Sequence, residues 1–234
     1  MRIAIVENTE VTHHGQLGVA LHEAAAVIDL YKPFRDGGLP RPGSFDALVV
    51  FGGEQSALDD ATHPHLAPLA GLMAETAAQG TAVLGICLGA QLFARGLGAE
   101  NRLGVAPEFG WVQVERLASD PVLAPDPVLK AAPEVFPIFQ WHSDTFSLPP
   151  GALHLARSQG AAIQAFRFGR AGYGTQFHFE ASCAVARDWL RRFPEACDAM
   201  SPGWSGQIEA EAAAVGRAAD EHGLALARAW VALI

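Results

Sequence analysis

The chain of 234 residues is 50% apolar and 18% charged, with 24 glycines and 15 prolines spread along it, a composition that can bury a large core and excludes a disordered or low-complexity protein. Its 16 cations stand against 25 acidic residues, a net charge of −9, so the basic footprint of a nucleic-acid binder is missing. Cys87, Cys183 and Cys197 form no CxxC pair and no apolar run reaches the roughly 18 residues of a membrane span, so the expectation is a chain of the reducing cytoplasm, off the membrane, in which a special cysteine serves as a nucleophile.

In chain order, Arg2–Val6 reads as a strand apolar on both faces, as buried parallel strands are. Only a four-residue apolar run precedes Glu7, too short for a signal peptide. Lys32–Ser44 is Pro-rich and expected to be a surface connection. Ala47–Phe51 and Thr81–Ile86 repeat the buried-strand pattern, and His65–Gln79 between them has apolar residues near helical spacing. Strand, helix, strand in this order predicts a three-layer α/β sandwich of the doubly wound, flavodoxin- or Rossmann-like kind, with a central mostly parallel sheet.

Trp111–Arg116, Gly151–Ala156, Ala161–Arg167 and Tyr173–Phe177 are predicted strands with short connections, hence a small antiparallel addition. Ser119–Pro137 is expected to be a second surface connection. From Gln207 onward the chain is Ala-rich, and Ile208, Ala212, Val215, Ala219, Leu226, Trp230 and Leu233 fall on one helical stripe. The stripe is expected to pack on the protein's own core; a homodimer contact is the second alternative. The whole, 1–234, reads as one domain with a core of about 1–192 and a C-terminal helical extension of about 193–234.

Thr81–Gln91, TAVLGICLGAQ, carries the strongest chemical signal. A strand enters Gly85-Ile86-Cys87-Leu88-Gly89 and a helix-like stretch follows. A nucleophile flanked by glycines two before and two after is the elbow that lifts a side chain above the carboxyl ends of a sheet, and the positive end of a helix dipole favours a thiolate. Taken alone, GxCxG fits an inert cysteine between packing glycines equally well. Tyr173–Glu180, YGTQFHFE, changes the balance. His178 and Glu180, two apart in an extended context, share a face with roughly 6.6 Å between them. The carboxylate then holds the imidazole while the other ring nitrogen serves the nucleophile. Third, Val50-Phe51-Gly52-Gly53-Glu54 ends a strand in a glycine pair. A tetrahedral intermediate needs two N–H donors for its oxyanion; the Leu88 and Gly53 amides are the candidates.

Strand-Gly-Gly, then GICLGAQ, then QFHFE resembles the class I, triad-type glutamine amidotransferases over about residues 1–192, and is similar to the glutaminase domain of GMP synthase. Gly110-Trp111 after Glu108 agrees, as does QWHSDTF (Gln140–Phe146), similar to the family's substrate loop. The resemblance implies a Cys87–His178–Glu180 triad that hydrolyses the side-chain amide of glutamine through a cysteinyl thioester. It also implies substrate contacts at Gly52, Gln91, His142, Ser143 and Asp144, with no cofactor and no metal. The residues after Arg192 are too few for a synthase, so ammonia is expected to go to a separate acceptor enzyme or to be released. Two positions depart from the family pattern: Glu54 follows the glycine pair and Phe179 separates His from Glu, each where proline is common.

Three rivals stand beside this reading. One is a γ-glutamyl peptide hydrolase using the same triad. Another is a non-catalytic regulatory relative, against which the intact triad argues. The third is the elbow-cysteine group of stress proteins and peptidases, which lacks the late His-x-Glu. His13-His14 and His63-Pro64-His65 are expected to be exposed loop histidines, and Cys183 and Cys197 ordinary helix-region cysteines.

Overall fold

The computed structural model describes residues 1–117 and 125–234. Its strands are β1 (Arg2–Val6), β2 (Val27–Tyr31), β3 (Ala47–Val50), β4 (Ala82–Ile86), β5 (Asn101–Arg102), β6 (Glu108–Arg116), β7 (Val135–His142), β8 (Thr145–Phe146), β9 (Leu153–Arg157), β10 (Ala165–Phe168) and β11 (Gly172–Thr175). Its helices are α1 (Gly15–Glu23), α2 (Pro33–Asp36), α3 (Leu66–Ala78), α4 (Leu88–Gly96), α5 (Cys183–Arg192), α6 (Pro194–Met200), α7 (Ile208–Glu211) and α8 (Arg217–Val231). Nine strands form one sheet in the order β2-β1-β3-β4-β11-β10-β9-β6-β7, and β5 pairs with β8 apart from it. The run β2-β1-β3-β4-β11 is parallel; β10, β9, β6 and β7 continue it antiparallel.

Alternation along the strands sorts the core into two layers, because successive side chains of a strand point to opposite faces. Ile3, Ile5, Val49, Leu84 and Ile86 meet Leu17 and Leu21 of α1 and Leu226 and Trp230 of α8. Ala4, Val6, Leu48, Val50 and Val83 meet Leu66, Leu69 and Met73 of α3 and Leu92 and Phe93 of α4. The three-layer α/β architecture is therefore present, and the C-terminal stripe is spent inside the chain: Trp230 is fully buried in the first layer. A third cluster, Phe139, Trp189, Trp204 and Ile208 with Phe109, Trp111, Trp141 and Phe193 packed against it, seals the antiparallel end under α5 and α6.

Several expectations need correction. Ser119–Pro137 is not a surface connection beyond residue 124: Asp126, Val128 and Leu129 are buried and β7 begins at Val135. Residues 118–124 lie outside those described. Asp126 explains the burial, since its Oδ1 caps the Val128 and Leu129 amides and its carboxylate takes the Tyr173 hydroxyl and the Arg167 guanidinium. The strand expected over Ala161–Arg167 starts only at Ala165; before it, Ser158 and Ala161 close a turn through the Ala161 N–H on Ser158 Oγ. β2, β7, α1, α5 and α6 are additions to the predicted elements.

Candidate active site

The parallel strands end in register, Val50 opposite Gly85 and Ile86 opposite Thr175, so Phe51–Glu54, Cys87 and Gln176–Glu180 leave the same edge of the sheet. That edge is where open α/β sheets bind ligands. Cys87 sits between β4 and α4 at φ +54°, ψ −111°, a region L-residues rarely occupy. Its N–H donates to the Thr175 carbonyl at 2.8 Å and its own carbonyl accepts the Gln91 N–H at 3.0 Å. The turn depends on both glycines. A Cβ on Gly85 would run into the Gly89 carbonyl and one on Gly89 into the Val50 carbonyl.

Two polar groups lie against the Cys87 sulfur. The thiol faces the Trp141 carbonyl at 3.7 Å, and Gln176 Nε2 donates to Sγ at 3.8 Å. Gly52 borders both the Cys87 and His178 side chains: a Cβ there would lie 3.3 Å from His178 Cε1 and 3.4 Å from Cys87 Cβ. His178 Nδ1 is 2.6 Å from Glu180 Oε1, and both side chains are buried. Burial opposes charging of the imidazole, but the Glu180 carboxylate and the Cys87 sulfur outweigh it and push the His178 pKa up to about 10. The ring is held edge-on to Trp189 at 5.2 Å, and the His178 N–H donates to the Phe139 carbonyl.

The route by which His178 meets Glu180 differs from expectation. β11 ends at Thr175, and His178 makes only an isolated bridge to Phe139. The Ala181 N–H closes a turn onto the His178 carbonyl, and that turn brings the two side chains together. The Glu180 carbonyl accepts the Gln16 N–H at the start of α1, and Gly15 and Gly223 leave room for the Glu180 and Phe179 carbonyls. Phe179, where the family pattern favours proline, is buried.

A cleft of about 480 Å³ opens over these groups, and Gly52, Gly53, Leu88, Gln91, Ser143 and Asp144 all line it. Gly53 lies against Leu88: a Cβ on it would be 3.0 Å from Leu88 Cδ2. Asn8 Nδ2 donates to the Phe51 carbonyl and steadies the glycine loop. Gln91 Nε2 donates to Gln176 Oε1. His142 borders the cleft, yet its imidazole turns inward, with Nδ1 3.0 Å from the Asp144 carbonyl and Nε2 3.3 Å from buried Glu108. It positions the 143–144 loop. Glu54 is exposed on the rim.

Sequence reasoning missed Gln176, although it lies inside QFHFE, and it missed the far wall, Trp189, Phe193, Ala196 and Met200, which carries no motif; Trp141, inside QWHSDTF, joins that wall. The paired histidines also differ from expectation. His13 Nε2 lies 2.8 Å from the Asp188 carboxylate and His14 Nε2 2.8 Å from that of buried Glu7, while His65 is itself buried. Among the described residues no three His, Cys, Asp or Glu are grouped to hold a metal ion, and no helix is long and apolar enough to cross a membrane. Burial pushes the thiols of Cys183 and Cys197 up to about 11.

The chain is similar to one of the subunits of glutamine-hydrolysing GMP synthase from Pyrococcus abyssi, at 35% identity over 118 residues, 49% of this chain and 60% of that protein. It therefore spans well under two thirds of that relative. Among solved structures it is similar to a glutamine amidotransferase of Methylobacillus flagellatus, at TM-score 0.83 and 26% identity over 100% of this chain and 95% of that one. A glutamine amidotransferase of Thermotoga maritima shares the fold at TM-score 0.84 and 24% identity, over 98% and 96% of the two chains. The family model Glutamine amidotransferase class-I matches residues 39–194, and the chain belongs to that family.

Proposed function

We propose that this protein hydrolyses the side-chain amide of glutamine to glutamate and ammonia through a thioester on Cys87. The observation that carries the reading is the meeting of Cys87, Gly52 and the buried His178–Glu180 pair at one edge of the sheet. The proton rests on His178, and the Cys87 sulfur attacks the amide carbon to form a C–S bond. The oxyanion is held by the Gly53 and Leu88 N–H groups. His178 gives its proton to the nitrogen as the C–N bond breaks, and ammonia leaves. Water then loses a proton to His178 and attacks the thioester; the C–S bond breaks, glutamate departs and the pair is restored. Glu180 orients the imidazole and stabilises its charged form.

Backbone groups of Ser143 and Asp144 receive the amino-acid end of the substrate, and Gln91 lines the pocket. Residues 1–234 work as one unit in the reducing cytoplasm, with α6 lining the same cleft as the triad. Ammonia passes to a separate acceptor enzyme, a role supported by the similarity to one component of a GMP synthase. The test is intact-mass labelling with a chloroketone analogue of glutamine. A single adduct on Cys87, suppressed by excess glutamine, is expected; an adduct that glutamine does not suppress, or none while a small thiol reagent still reaches Cys87, overturns glutamine as the substrate.

A further inference from the structure

The cleft is larger than hydrolysis of a primary amide requires. Pockets of ~300–1,000 Å³ enclose drug-sized ligands, and this one measures about 480 Å³. In the reaction above the carbonyl oxygen faces Gly53 and Leu88, so the leaving nitrogen faces His178, its proton donor. Whatever is attached to that nitrogen is then bounded by what surrounds His178 along the cleft.

On the side of α5 and α6 that boundary is apolar, with Thr9, Thr12 and His13 lining the cleft beside it. Trp189 stands edge-on to the His178 ring, Trp141 lies 5.6 Å from Trp189, and Phe193 lies 6.1 Å from Trp141. Ala196 and Met200 of α6 continue the wall, and Met200 Sδ also accepts the Ser143 hydroxyl. Both residues lie beyond 39–194, the segment matched by the family model. Ammonia is small and strongly hydrated, and it gains nothing from such a wall. Among the described residues no Lys or Arg lines the cleft, while Glu54 and Asp144 do. His13, also on the lining, has Nε2 2.8 Å from the Asp188 carboxylate. A leaving amine that carried its own carboxylate would find no partner there.

We propose that Trp141, Trp189, Phe193 and Met200 form a second subsite that takes an uncharged apolar or aromatic substituent on the amide nitrogen. The preferred substrates are then N-substituted γ-glutamyl amides of alkyl or aralkyl amines, with glutamine the truncated case and γ-glutamyl peptides disfavoured. The inference rests on the thioester reading. The bonds made and broken are the same: C–S forms, C–N breaks, the free amine takes the His178 proton, and water releases glutamate.

The test compares kcat/KM of the purified chain for L-glutamine, γ-glutamyl benzylamide and γ-glutamylglycine. Benzylamine and ammonia have similar basicity, so leaving-group chemistry does not itself create a preference. The benzylamide is expected to exceed both others by about 10-fold or more, the discrimination an apolar pocket supplies. Phe193→Ala with Met200→Ala should collapse that preference. Glutamine turnover equal to or above that of the benzylamide overturns the subsite and leaves the thioester mechanism standing, as does a retained preference in the double variant. No turnover of any of the three, with no glutamine-blocked adduct on Cys87, removes the underlying mechanism and the subsite with it. The substrate series on the unaltered chain decides the matter even where the double variant does not fold.

Discussion

His178 Nδ1 and Glu180 Oε1 lie 2.6 Å apart inside a turn whose last amide, that of Ala181, closes on the His178 carbonyl. Because α1 holds the Glu180 carbonyl and Gly223 of α8 lies against that of Phe179, the carboxylate is fixed by elements from both ends of the chain. Glu180→Gln keeps the shape but removes the charge that orients the imidazole. It is expected to lower kcat by roughly 10²- to 10⁴-fold with KM for glutamine little changed. Steady-state kinetics check this, and full activity in the variant would remove Glu180 from the triad.

The same pair sets a pH dependence of stability. The His178 pKa is raised from 6.5 to about 10, so the folded state binds that proton more tightly than the unfolded chain does. Its contribution is fully present below the unfolded value and is lost as pH rises through the folded one. The Tm difference between the parent chain and Glu180→Gln is therefore expected to be largest near pH ~6 and to shrink toward pH ~10. Thermal melts of both across that range measure it; a gap that widens with pH would mean the imidazole is held neutral.

Cys87 occupies φ +54°, ψ −111°, a conformation that costs an L-residue about 1–3 kcal/mol and glycine almost nothing. Cys87→Gly is expected to abolish turnover and yet stabilise the chain by about 1 kcal/mol, raising Tm by roughly 2–4 °C for a chain of this length. Cys87→Ala should be equally inactive without that gain, because it keeps the Cβ. Calorimetry of the two variants separates strain from loss of the thiol, and equal melting temperatures would show that the elbow carries no strain.

What the residues declared in advance follows from local necessity. Gly85 and Gly89 are demanded by backbone contacts on either side of Cys87, so the elbow shows as a short motif, and strands buried on both faces are apolar throughout. β7 starts inside a Pro-rich stretch and runs into QWHSDTF, and it tolerates Pro137 because it is an edge strand, where the missing N–H does not disrupt a central ladder. β2, the opposite edge, is largely exposed and carries Asp29 among its apolar residues. His178 and Glu180 were legible as a pair for a reason that proved incidental, since a turn and not strand periodicity brings them together. The wall formed by Trp189, Phe193 and Met200 had no local signal: its residues share a surface only after α5 and α6 fold back over β7.

Glu108 links the antiparallel half of the sheet to the 143–144 loop, the proposed substrate loop. Its Oε2 accepts Gln164 Nε2 at 2.5 Å and Ser158 Oγ at 2.9 Å, and it stands 3.3 Å from His142 Nε2. His142 in turn faces the Asp144 carbonyl through Nδ1. Glu108→Ala would leave buried His142 Nε2 without its acceptor and take one partner from Gln164 and Ser158, which still hold each other, and is expected to cost ~1–3 kcal/mol in stability. Glu108→Gln keeps the volume but not the charge, so His142 and the loop behind it shift while the Cys87–His178–Glu180 geometry stays. Its expected signature is a KM for glutamine raised roughly 5- to 10-fold, the worth of one misaligned hydrogen bond, with kcat nearly preserved. A loss in kcat at constant KM would place Glu108 in support of the nucleophile, through β7 and the Trp141 carbonyl, and not in support of the substrate loop.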